Sequence, residues 1–91
     1  MNYNTETKEK KASKKYASTS YSLILYNDDV NTFDHVINCL IRICEHELIQ
    51  AEQCAWLVHN KGKCQVKSGK LSDLRKRLQA LTQNGLSAQI E

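Results

Sequence analysis

Three polar side chains in a row, Asn27-Asp28-Asp29, stand between an apolar run and the next apolar-periodic segment. At such a corner Asn and Asp ordinarily satisfy backbone groups and cap the helix that follows. The same amide oxygen and carboxylate are acceptors, and together they suit an ammonium, which offers three donors and no acceptor. His59 is the second candidate, behind Trp56, Leu57 and Val58 near the end of a helical segment. A lone histidine there is ordinarily a dipole partner or a partly buried core residue. If its helix packs against the acidic corner, its neutral ring nitrogen becomes a further acceptor for the same cation.

Other chemistries find less support. Three His and four Cys invite a metal, and His35 and Cys39 are one helical turn apart. There is no CxxC and no His-x3-His, and Cys44 and Cys54 fall on apolar stripes, whereas structural zinc ligands come in tight pairs. No serine elbow, glycine-rich phosphate loop or HExxH is present. Spacing allows a Cys–His nucleophilic pair, but nothing in the sequence sets a thiol beside an imidazole. The expectation is a protein that binds without catalysing, with neither metal nor cofactor.

Six elements must position the corner and the histidine. Tyr21-Ser-Leu-Ile-Leu-Tyr26 is β-rich and stops at the Asn-Asp-Asp turn. Thr32 can cap a helix with Asp34 in its first turn, and Phe33, Val36, Ile37, Leu40, Ile41 and Cys44 recur at helical intervals to about residue 45. A second helix runs from about Leu48 to near Asn60, with Gly62 suited to a left-handed end. Residues 63–67 alternate as a short strand closed by Ser68-Gly69. Leu71, Leu74, Leu78 and Leu81 mark a third helix ending at Asn84-Gly85, and residues 86–90 alternate as an edge strand. The order β-α-α-β-α-β predicts an α+β domain, a three-stranded antiparallel sheet packed against three helices.

Of 91 residues, 41% are hydrophobic and 25% charged, ordinary for one small globular domain. The net charge of +3 is unevenly placed. Residues 1–20 hold five lysines against two glutamates, and residues 21–91 hold eight basic against eight acidic groups. Residues 1–19 read as a flexible basic extension and 20–91 as the domain. A neutral domain lacks the basic face that phosphates require, so nucleic acid is not expected as a partner. No apolar run reaches the ~18–20 residues of a membrane span, and the first residues lack the apolar centre of a secretory signal. The four cysteines are then expected as free thiols in a reducing compartment.

Leu23-Ile-Leu-Tyr-Asn-Asp-Asp29, then Phe33 with Val36 and Ile37, then Val58-His-Asn-Lys-Gly-Lys63, resembles the ClpS family of adaptors for the Clp protease. The family shows an apolar strand ending in Asn-Asp-Asp, two helices, and a Val-His followed shortly by Gly-Lys. The spacing from Asn27 to His59 matches without a gap. The resemblance covers about residues 21–66; beyond them only the strand–helix–strand order agrees. It implies an adaptor in the cytoplasm that takes N-degron substrates to a ClpA- or ClpC-like AAA+ unfoldase, docking on that partner's N-terminal domain. Carried over residue by residue, it implies that Asn27, Asp28 and His59 hold the α-amino group of the substrate's first residue. Phe33, Val36, Ala55, Val58 and Leu86 would line a pocket for that residue's side chain, with Asp29 and Asn31 at the rim.

This chain also departs from the family pattern. Asn31-Thr32-Phe33 stands where Thr-Pro-Met is usual, so a rigid Phe replaces a flexible Met, and Ala55 replaces a second one. The segment after Gly62 lacks the usual Cys-Gly-Val-Phe-Thr. The rival reading is an interaction domain of the same fold that does not read N-termini, as in the C-terminal domain of the ribosomal stalk protein.

Overall fold

The structure, a computed structural model, describes residues 20–91; the extension expected at 1–19 lies outside them. β1 (Tyr21–Tyr26) is followed by α1 (Phe33–Cys44) and α2 (Leu48–Lys61), then β2 (Lys63–Gly69), α3 (Leu71–Gln83) and β3 (Ser87–Ile90). The sheet is antiparallel in the order β2-β1-β3, so β1 is central and β3 is the edge strand expected of the last residues. The fold class is the one read from the sequence.

β1 turns Leu23 and Leu25 to the helices, and both are fully buried. They meet Leu40 and Cys44 of α1, Ala51 and Val58 of α2, and Leu74 and Leu81 of α3. Each such leucine is worth roughly 1.5–3 kcal/mol of burial. Thr32 caps α1 as expected, its Oγ1 accepting from the His35 N–H at 3.1 Å. At the other end Glu45 turns into the left-handed region (φ 61°), and the N–H groups of Glu45 and His46 both go to the Leu40 carbonyl. This is a left-handed helix end built without glycine.

The ladder between β1 and β2 slips by one residue: Leu23 pairs with Lys67 but Ile24 with Gln65, leaving Val66 as the extra residue of a bulge. Val66 is buried, and its carbonyl accepts from Nε2 of His46 at 2.6 Å. His46, 5% exposed, thus satisfies a carbonyl inside the fold.

One sequence expectation is corrected here. A thiol does lie beside an imidazole: Cys39 Sγ is 3.6 Å from Nε2 of His35. The same Nε2 lies 2.9 Å from the Asn84 carbonyl, which can only accept. Nε2 must therefore carry the proton and cannot draw one from the thiol. Cys39 is fully buried, and that burial pushes its thiol up, with Arg42 opposing. Helical spacing brought the pair together, but it has no base and no access. Among the described residues, no three His, Cys, Asp or Glu side chains gather as a metal site requires, and no helix is long and apolar enough to cross a membrane.

Candidate functional site

β1 ends at Tyr26, and the Asn27 N–H donates to the Gly62 carbonyl at 3.0 Å. Gly62 is the left-handed end of α2 (φ 97°), its own N–H returning to the Val58 carbonyl at 3.0 Å. This one glycine therefore ends the helix that carries His59 and fixes that end against the strand that leads to Asn27. The sequence signalled Gly62 as a helix cap; the use of its carbonyl needed the tertiary structure.

Asp28 organises the loop between β1 and α1. Its Oδ1 accepts the N–H groups of Val30 at 2.9 Å and Asn31 at 3.0 Å, and its Oδ2 accepts Nδ2 of Asn31 at 2.8 Å. Partial burial alone would raise the Asp28 carboxyl, but these donors outweigh it and hold the group below its ordinary value. A carboxylate offers about four lone pairs, so three are engaged and one is left. Nδ2 of Asn31 also donates to the Gly85 carbonyl at 2.8 Å. Both of its partners are acceptors only, which fixes the nitrogen on that side and leaves the amide oxygen as a free acceptor.

These elements enclose a cavity of about 160 Å³. Its polar lining is Asn27, Asn31 and His59; its apolar lining is Phe33 and Val36 from α1 and Ala55 and Val58 from α2. Beneath it lies a void of about 20 Å³ that shares Asn27, Asn31, Val36 and Val58 and adds Leu25, Tyr26, Asp28 and Leu86. Neither Asn27 nor His59 has its side chain committed to a hydrogen bond among the described residues, and both are exposed. Phe33, 43% exposed, is a wall of the cavity rather than a core residue. Ala55, 2% exposed, forms part of its inner surface.

The sequence-derived residues are therefore brought together with one exception. Asp29 is exposed and lines neither space, so it stands outside the group. Asp28 borders the lower void and contributes chiefly by holding Asn31 and the loop. Leu25 and Tyr26 were not anticipated as lining residues. Their place follows from β1 running beneath the corner, which one-dimensional spacing does not report.

Such an arrangement can take up a small cationic group at its polar edge and an apolar side chain against Phe33, Val36, Ala55 and Val58. It holds no activated nucleophile.

Comparison with known proteins bears on the fold and the family. No curated protein matches the chain. Among solved structures, the chain is similar to Agrobacterium tumefaciens ClpS2 bound to L-phenylalaninamide, with a TM-score of 0.70 at 16% identity. That alignment covers 80% of this chain and 95% of the other, so the two share a fold over the aligned length. The family model described as "ATP-dependent Clp protease adaptor protein ClpS" matches residues 16–89 and takes in the α3 and β3 segment that motifs left open. The chain belongs to the ClpS family of Clp protease adaptor proteins.

Proposed function

We propose that the chain is an N-degron adaptor: it binds the free α-amino group and bulky apolar first side chain of a protein substrate and delivers it to a ClpA- or ClpC-like AAA+ unfoldase. The observation that carries this reading is the joint placement of Asn27 and His59, from the end of a strand and the end of a helix, on one cavity with apolar walls. The amine donates to Asn27, to His59 and to the remaining lone pair of Asp28, with the Asn31 oxygen as a fourth acceptor. The first side chain enters between Phe33, Val36, Ala55 and Val58, and Leu86 closes the space below.

A hydrogen bond to a charged amine contributes ~1.5–3 kcal/mol, and burial of a large apolar side chain contributes ~1.5–3 kcal/mol. Neither group suffices alone, which makes the pocket selective for the combination. A substrate in L-phenylalaninamide's class, with a free amine beside a benzyl group, meets both demands; the related ClpS2 was solved with that molecule.

In the same reading the domain spans residues 20–91, works in the cytoplasm, and uses the lysine-rich residues 1–19 to contact the unfoldase. Deleting residues 1–18 spares peptide binding and impairs handover. The adaptor reading is tested by the double substitution of Asn27 and His59 by Ala. Loss of binding to a Phe-initiated peptide, with the fold intact by circular dichroism, supports it. Unchanged binding would favour an interaction domain of the same fold that ignores N-termini.

A further inference from the structure

Cys54 of α2 and Cys64 of β2 meet across two elements. The Cys64 S–H donates to Cys54 Sγ at 3.0 Å, with the Gln65 carbonyl at 3.4 Å as its other acceptor. The two sulfurs need to approach by only about 1 Å to reach the length of a disulfide bond. Cys54 is 8% exposed, whereas Cys64 is partly open to solvent. The remaining thiols, Cys39 and Cys44, are fully buried on α1.

We propose that Cys54 and Cys64 form a dithiol modification site, which a small disulfide of the class of oxidised glutathione converts to an intramolecular cystine joining α2 to β2. The Cys64 thiol gives its proton to water and the thiolate attacks one sulfur of the reagent; the reagent's S–S bond breaks and its first thiolate leaves, taking a proton from water. Cys54 then gives its proton to water and attacks the Cys64 sulfur of the mixed disulfide, expelling the second thiolate, which also takes a proton from water. Two protein thiols are oxidised to one cystine, and the reagent is reduced to two thiols.

The order of events follows from access. A reagent reaches Cys64 and not Cys54. Burial pushes the Cys54 thiol up to about 12, so it does not react first. It reacts second because its neighbour's sulfur is held against it, which makes the step intramolecular. The bond would tie the middle of α2 to the start of β2, where Cys64 lies two residues past the Gly62 carbonyl that binds the Asn27 N–H and is paired with Leu25 of β1. Neither sulfur lines the amine pocket, so this site stands or falls apart from the adaptor reading.

The full chain is equilibrated in glutathione buffers of rising oxidised share, quenched with acid and an alkylating agent, and mapped by peptide mass. The expected product is a Cys54–Cys64 cystine without bound glutathione, with two of the four thiols left to alkylate after denaturation. Cys64→Ser and Cys64→Ala, both checked for native circular dichroism, form no intramolecular disulfide. Glutathione retained stably on Cys64, a bond through Cys39 or Cys44, or four free thiols in the most oxidising buffer would each overturn the proposal.

Discussion

Two corners of this small domain use the same residue types to opposite ends. At the α1–α2 junction His46 is buried, with Nε2 bound to the Val66 carbonyl. Around it Arg77 binds Asp73 Oδ2 at 2.8 Å and the Ile43 carbonyl at 2.6 Å, while Glu45 pairs with Lys67 and Arg77. At the β1–α2 corner His59 is exposed, Asn27 has an uncommitted side chain, and Asn31 keeps a free oxygen beside a cavity of about 160 Å³. At the first corner the charged groups pair with each other and Nε2 of His46 holds the bulge of β2, its buried Nδ1 alone lacking a partner among the described residues. The other leaves acceptors unclosed, which is the condition for binding a cation. A histidine at a helix junction is thus structural or functional according to whether its partners are already inside the fold.

Substitutions at the two histidines should separate these roles most sharply. His46→Ala removes a buried ring and orphans the Val66 carbonyl; the expected loss is about 2–4 kcal/mol in urea unfolding. Peptide affinity of the fraction that remains folded should stay near wild type. His59→Ala should do the reverse. Its stability stays within ~0.5 kcal/mol, as for other exposed positions, while affinity for a Phe-initiated peptide falls by ~1.5–3 kcal/mol, about tenfold to a hundredfold. Equal stability losses in the two variants would erase the distinction.

Gly62→Ala tests the link between strand end and helix end. No atom lies within 4 Å of the added Cβ, so the cost is conformational, from the left-handed φ of 97°. About 1 kcal/mol of stability is expected to go, measured by thermal unfolding, together with a modest loss of peptide affinity as His59 and Asn27 lose their mutual register.

Acid should loosen the open corner through Asp28. Its carboxyl is held below the ordinary value, so its contribution is fully present above about pH 4 and is lost as pH falls through the lowered native value. Urea midpoints followed from about pH 5 to pH 2 should fall more steeply in the wild type than in Asp28→Asn. The smallest effect is expected at Glu45→Gly, which relieves a left-handed non-glycine residue but removes two exposed ion pairs. The net is a gain of at most ~1 kcal/mol; a loss beyond that would make the ion pairs part of the closed corner's strength.

The two corners also differ in how far the sequence foretold them. Local signals announced the open one: Asn27-Asp28-Asp29 as a polar break after a strand, Thr32 as a cap and Gly62 as a helix end. Each is a backbone device that acts within a few residues. The closed corner was silent because its bonds are long-range. The bulge at Val66 and the ring that satisfies it are twenty residues apart, and no periodicity reports a freed carbonyl. The same reason hid the Cys54–Cys64 contact and the acceptor that keeps His35 from acting on Cys39. Asp29 shows the converse limit: adjacency to Asn27 and Asp28 grouped it with the rim, but the turn sets it outside the cavity.

Isothermal titration with two peptides that differ only in an acetyl group on an N-terminal Phe tests the central claim most directly. The pocket edged by Asn27, Asn31 and His59 should bind the free-amine peptide and lose at least tenfold in affinity for the acetylated one, since acetylation removes the charge and blocks the approach. Equal affinity for both would show that the open corner does not read an amine.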